Sequence, residues 1–156
     1  RLCRDWSSDV CSSDLNVIPG DVLMVSSVSG KNVMPVEVAL KAREMGVKVI
    51  ALSSVAYSRT LAAEHPSGKR LYEVVDLVID NCGVAGDAVV QLPGLPAPIC
   101  PTSGITAAYI MWLLQVEIVE ALLAKGVEPH IYLSNHLPGA DEYNRKALAA
   151  FDAQGY

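Results

Sequence analysis

Cysteine is scarce in this chain, and its placement excludes two kinds of chemistry. There are four cysteines, Cys3, Cys11, Cys82 and Cys100, and no two are spaced as Cys-x-x-Cys. Such spacing supplies neither a zinc site nor a disulfide framework. Histidine is equally thin, and His130 and His136 stand at no spacing from each other or from carboxylates that suggests a metal. Basic charge is short as well, with 12 Lys and Arg against 17 Asp and Glu, a net charge of −5. A mildly acidic chain has no electrostatic footprint for nucleic acid and no basic stripe for a membrane surface. We therefore expect a cytoplasmic protein with neither cofactor nor metal, and with no nucleic-acid or membrane partner.

The first fifteen residues lack the marks of folded protein. Asp5 to Leu15 has no apolar period, no charged-then-apolar signal pattern and no cleavage site. It resembles the in-frame translation of a sequencing-library adapter, so residues 1–15 are expected to be non-native, with the natural chain beginning further upstream. Setting them aside leaves ten basic and fourteen acidic residues and a net charge of −4. About 140 residues then remain, enough for one domain with a buried core.

What the chain does have is a strand that runs into a helix through small hydroxyl residues and glycine. Gly20 to Asn32 reads Gly-Asp-Val-Leu-Met-Val-Ser-Ser-Val-Ser-Gly-Lys-Asn. The apolar run Val22 to Val25 suits a strand covered on both faces. A helical pattern follows Asn32, so free N–H groups and the positive end of a helix dipole face the loop. Ser26, Ser27 and Ser29 add hydroxyl donors. An oxyanion site and a plain helix cap both use these residue types.

Further along, Asn32 is placed to cap a helix carrying Met34, Val38 and Met45, with Pro35 in its first turn and Gly46 as its stop. Val47 to Leu52 is the next buried strand, which makes a βαβ unit with parallel strands. Ser53 to Arg59 reads as a loop, and Ser67 as the cap of a short helix through Leu71, Val74 and Val75. Leu77 to Ile79 is a third strand. Residues 83–101, rich in Gly and Pro, form a loop or irregular hairpin in which 88–90 could pair with 99–100. The helix 105–125 is apolar nearly all round, with no charge before Glu117. Its length would span a membrane, but Gln115, Glu117 and Glu120 lie inside it and its flanks lack basic bias. A place in the core or in a subunit interface is the better expectation. His130 to Leu133 reads as a further strand, and Asp141 to Phe151 as a final surface helix.

An ordered set of segments resembles the SIS (sugar isomerase) domain, and more narrowly bacterial SIS-domain proteins described as phosphosugar-binding. The set is Gly20-Asp21-Val22-Leu23 with Ser27 to Asn32, Ala42-x-x-x-Gly46 through Ser53, His65 to Glu73, Asp76 to Asn81, Pro101-Thr102-Ser103, and Asp141-Glu142-x-Asn144-Arg145. The resemblance implies a three-layer αβα fold with a parallel sheet in a flavodoxin-like order, truncated at its N-terminus, so that residues 16–156 are the C-terminal part of one SIS domain. It implies a ligand at the carboxyl ends of the strands, and a homodimer or homotetramer formed through helix 105–125. The family's Ser-x-Ser-Gly-x-Thr/Ser loop holds the phosphate of a sugar phosphate. By that correspondence Ser27, Ser29 and Gly30 match, Asn32 replaces a hydroxyl residue, Val28 replaces a polar one, and Lys31 adds a charge.

Function is expected to be phosphosugar binding, with isomerase or lyase action on a sugar or amino-sugar phosphate. The alternative is a non-catalytic sugar-phosphate sensor. Isomerisation needs a base near the proton alpha to a carbonyl. Glu117 and Glu120, one turn apart on an apolar helix, are candidates if buried, since desolvation raises a carboxyl pKa; both could instead emerge at a solvated helix end. His65 is a candidate proton carrier, with Lys69 or Arg70 binding an anion, although a plain turn before a capped helix is the reading these residues favour. Ser53, Ser103 and Lys69 are further ligand-contact candidates, Ser103 because it opens the long helix.

Overall fold

The computed structural model describes residues 17–154. The adapter-like residues 1–15 lie outside them. The chain divides into two compact units, Arg1–Ile110 and Met111–Tyr156.

The first unit is built on three parallel strands in the order β1 (Val22–Ser26), β2 (Lys48–Ser53) and β3 (Leu77–Asp80). Helix α1 (Val33–Glu44) connects β1 to β2. Val36, Ala39 and Ala42 recur along one side of α1 and are buried, as helical spacing requires. Two of the three are alanine, so the helix backbone lies close to the sheet. They meet Val47, Val49 and Ala51 of the β2 segment, with Leu71 and Val74 closing the cluster. The middle strand has a partner on each side, and its inward residues are correspondingly the best buried. Gly46 ends the helix at φ +80°, a left-handed position that glycine takes without steric cost. The parallel α/β architecture expected from the sequence is therefore present.

Three local expectations need correction. Ser53 to Arg59 is not a loop, because β2 extends through Ser53 and a short helix α2 (Val55–Arg59) follows at once. Ser54 caps it by accepting from the Tyr57 N–H at 3.3 Å. Ser67 does not cap a helix: only a single 3₁₀ turn, Leu71–Glu73, forms there, and Arg70 stands at its N-cap. The Ser67 hydroxyl instead lies 2.7 Å from Nδ1 of His65. Asn32 does occupy the N-cap position of α1, but its side chain makes no capping bond.

The Gly/Pro-rich stretch contains the hairpin expected of it. Strands β4 (Ala88–Val90) and β5 (Ile99–Pro101) pair antiparallel, with Ala88 opposite Pro101 and Val90 opposite Ile99. Helix α3 (Ser103–Ala124) follows, and none of its residues is buried. It is a described helix long and apolar enough to cross a membrane by length and composition. Burial in the core of this chain, one of two expectations for it, is not observed.

In the second unit, helix α4 (Ala140–Gln154) buries Ala140 and Ala147. His130 to Leu133 is not a strand. The Asn144 carboxamide takes the place of a neighbouring strand there, accepting from the Leu133 N–H and donating to the Leu133 carbonyl, each at 2.8 Å. Both polar groups of that peptide position are thus satisfied without a ladder.

Candidate phosphate-binding loop

At the carboxyl end of β1 the chain stays paired for one residue more, as the Ser27 N–H donates to the Leu52 carbonyl at 3.0 Å. It then turns, and its carbonyls are tied back into the protein one after another. The Val28 carbonyl accepts from the Ser54 N–H and from the Ser53 hydroxyl, each at 3.1 Å. The Gly30 carbonyl accepts from the Leu71 N–H at 2.8 Å, and the Lys31 carbonyl from the Glu64 N–H at 3.0 Å.

That pattern fixes where the amides point. In a trans peptide the C=O and the following N–H are antiparallel, and all described peptides are trans. Fastening the Val28, Gly30 and Lys31 carbonyls inward therefore aims the N–H groups of Ser29, Lys31 and Asn32 outward. Among the described residues none of these three amides has a hydrogen-bond acceptor. They stand at the start of the 12-residue helix α1, whose first-turn amides receive no side-chain cap. Free amides at the positive end of a helix dipole favour an oxyanion.

Gly30 is the residue on which this geometry turns. Its φ is +57°, and a Cβ placed on it would lie 3.1 Å from the hydroxyls of both Ser53 and Ser58. A side chain there would push the loop off its support. Ser53, a candidate ligand contact, is fully buried and acts from below, bonding Val28. Ser58 is also fully buried, and its hydroxyl has no hydrogen-bond partner among the described residues. Within the loop the Ser27 hydroxyl accepts from the Gly30 N–H at 3.2 Å, while Ser29 is half-buried.

The neighbouring cations are mostly engaged. The Lys31 ammonium pairs with Glu64. Arg70 donates to the Leu61 carbonyl from Nε at 2.8 Å and Nη2 at 2.6 Å, and it meets Glu73 at 3.5 Å. Lys69 is exposed and has no ion pair among the described residues. His65 is almost wholly buried. Its Nδ1 accepts from the Ser67 N–H at 3.1 Å, so its proton sits on Nε2 and is directed at Glu37 Oε2, 2.8 Å away. Both ring nitrogens are committed to the protein. The pair joins α1 to the 61–70 segment, and so to the backbone bond between Glu64 and Lys31.

Ser103, the other candidate anion contact, is already served by an internal anion. Asp87 accepts from the Ser103 N–H at 2.9 Å and from its hydroxyl at 2.5 Å, and from the Thr102 N–H at 3.2 Å. The Ser103 hydroxyl bond holds the Asp87 carboxyl below its ordinary pKa, partly opposed by burial and reinforced by the two amides. Glu117 and Glu120 are exposed on α3, and both belong to the Met111–Tyr156 unit. The burial on which their candidacy rested is not found there. That unit carries an open cavity of about 510 Å³ lined by Tyr132, Asp141, Asn144, Arg145 and Leu148.

Sequence reasoning brought Ser27, Ser29, Gly30, Lys31, Asn32, Ser53 and His65 into one neighbourhood, and these cluster in the structure. It missed Glu37 and Asp87, whose partners lie 28 and 16 residues away. No local pattern marks such pairs.

Among the described residues the fold is an α/β unit whose parallel sheet carries an outward-facing amide loop at the end of β1. Residues 7–54 match the family model of the SIS domain. That match begins inside the adapter-like stretch, outside the described residues. Along most of its length the chain is similar to bacterial UPF0309 proteins. It is 44% identical over 131 residues to one from Geobacillus kaustophilus, covering 84% of this chain and 52% of that protein. It is 42% identical over 129 residues to one from Shouchella clausii, with coverages of 83% and 52%. With one from Streptomyces griseus it shares 39% over 132 residues, with coverages of 85% and 53%. The chain spans about half the length of the curated relatives it matches. It thus carries SIS-domain sequence, and the resemblance seen in its motifs holds.

Proposed function

We propose that the loop from Ser27 to Asn32 holds the phosphate of a sugar phosphate. The observation that carries this reading is the inward fastening of the Val28, Gly30 and Lys31 carbonyls, which leaves three amides free at a helix start. Ser29 supplies a hydroxyl beside them, and exposed Lys69 is a further source of positive charge. On this reading the protein is cytoplasmic, and it works as a homodimer or homotetramer through α3.

Two activities are consistent with phosphosugar binding. One is isomerase or lyase chemistry on a sugar or amino-sugar phosphate, for which His65 is the candidate proton carrier beside the loop. The other is ligand sensing without turnover. The commitment of both His65 ring nitrogens to Ser67 and Glu37 favours the second for that residue. Turnover assays on phosphosugars separate the two, since a sensor binds and returns its ligand unchanged.

The phosphate assignment is tested by Ser29→Ala. Loss of one hydrogen bond to a charged group costs about 1.5–3 kcal/mol, so affinity for a sugar phosphate should fall about tenfold or more. Affinity for the unphosphorylated sugar should hold. Equal losses for both ligands in calorimetry reject the phosphate role.

A further inference from the structure

Ser67 sits on a tight turn with an imidazole at its hydroxyl and a carboxylate behind the imidazole. The turn is His65-Pro66-Ser67-Gly68, closed by the Gly68 N–H donating to the His65 carbonyl at 2.9 Å. Proline fixes φ at the second position, and Gly68 leaves the turn at φ +70°, which glycine adopts without steric cost. Ser67 is exposed, and a Cβ on Gly68 would have nothing within 4 Å. A reagent can therefore approach a hydroxyl that the backbone holds still.

The hydrogen bonds run in one direction. Nε2 of His65 lies 2.8 Å from Glu37 Oε2, and Nδ1 lies 2.7 Å from Ser67 Oγ. A carboxylate only accepts, so the ring proton is on Nε2 and Nδ1 is the acceptor. The Ser67 N–H also reaches Nδ1, but at 3.1 Å it is the longer contact. The Ser67 O–H thus donates to Nδ1. Its oxygen accepts from the Lys69 N–H at 3.3 Å, which uses one lone pair and leaves the other open. The imidazole is buried, so it is held in place between its two partners.

Closing the turn requires neither side chain, since the Gly68 N–H and the His65 carbonyl do that alone. Glu37 comes from α1, 28 residues away in sequence. An oxygen with an open lone pair, its proton facing a neutral imidazole oriented by a carboxylate, has the arrangement of an activated nucleophile.

We propose that Ser67 is a nucleophilic serine that accepts an acyl group from an activated carboxylic ester. His65 is its base, and Glu37 positions the ring. The Oγ–C bond forms as the Oγ proton passes to Nδ1, and Glu37 balances the imidazolium. The ester C–O bond then breaks, and the departing oxygen takes the proton from Nδ1. Acyl-Ser67 and a free alcohol result. Neither step uses the Ser27–Asn32 loop.

The test treats the full chain with p-nitrophenyl acetate, following nitrophenolate release beside peptide mass mapping. One acetyl group per chain should appear on Ser67. Its rate should exceed that at Ser134 by about a hundredfold, the scale of general-base assistance. Ser134 is exposed, and its hydroxyl meets no imidazole among the described residues. Ser67→Ala should remove both the acetyl group and the burst of nitrophenolate. Glu37→Gln keeps an oxygen for the Nε2 proton but loses the charge. It should slow acetylation of Ser67 about five- to tenfold, with stoichiometry and melting temperature unchanged, a split that a merely structural role would not produce. Acetylation confined to lysines, or no faster at Ser67 than at Ser134, overturns the nucleophile. A Glu37→Gln chain acetylated at the wild-type rate overturns the relay behind it. Ser67 and Ser134 are compared within one wild-type chain, so a variant that fails to fold leaves that comparison decisive.

Discussion

At the residue scale, the proposed site rests on a single missing side chain. Gly30 combines a left-handed backbone with contact against two buried hydroxyls. Alanine there meets both penalties. The left-handed conformation costs an L-residue about 1–2 kcal/mol, and the 3.1 Å approaches to Ser53 and Ser58 require the loop to lift. Lifting it loosens the Gly30 carbonyl from Leu71, which frees the peptide that aims the Lys31 amide. Gly30→Ala is therefore expected to lose inorganic phosphate binding while costing about 2 kcal/mol of stability, read by denaturant titration beside calorimetry. A variant that binds phosphate as wild type does would show that the amide geometry is not what holds the anion. The sequence marked Gly30 through the Ser-x-Ser-Gly pattern. It did not show the support beneath, because Ser53 and Ser58 reach the loop only once β2 and α2 are in place.

At the element scale, the strands and α1 were legible because their apolar residues recur at fixed periods and glycine punctuates them. What escaped were features made by one side chain imitating backbone. Asn144 stands in for a strand beside Leu133, and Asp87 for a cap on α3. Asp76 does the same at the start of β3. Its N–H donates to the Val49 carbonyl at 2.9 Å, and its Oδ2 accepts from the Val49 N–H at 2.8 Å. One residue thus extends the β2–β3 ladder before the regular register begins at Leu77. The Val49 N–H holds the Asp76 carboxyl below its ordinary 3.8, opposed by burial and aided by Arg43 and Lys48. A carboxyl with a depressed folded-state pKa adds stability that is present above its unfolded value. That contribution is lost as pH falls through the folded value. Asp76→Asn should accordingly be less stable than wild type at neutral pH. The gap should narrow progressively below pH 3.8. Urea midpoints across that range check it, and a constant gap would mean the carboxylate charge contributes nothing.

For the whole molecule, the unburied surface of α3 is the feature that decides behaviour in solution. Ile105, Tyr109, Trp112, Val116, Val119 and Leu123 recur at alternating steps of four and three residues, the seam of a paired helix. Ile105 is 76% exposed and Trp112 69%. A continuous apolar stripe of this length exceeds what soluble monomers ordinarily leave open to water. The free edge of β1 adds to it, because among the described strands β1 pairs only with β2, and Val22 on it is 64% exposed. Two copies pairing along α3 would cover the stripe, whereas the strand edge would remain available for further association. The chain is therefore expected to self-associate at micromolar concentration and to be poorly soluble. Trp112→Glu, which puts a charge at the middle of the seam without disturbing helix propensity much, should shift the distribution toward smaller species in sedimentation velocity and raise the soluble fraction. A wild-type chain that sediments as a soluble monomer with a sharp melting transition would contradict this. In that case the stripe would already be covered within one chain, and the homo-oligomer built on α3 would have to be abandoned.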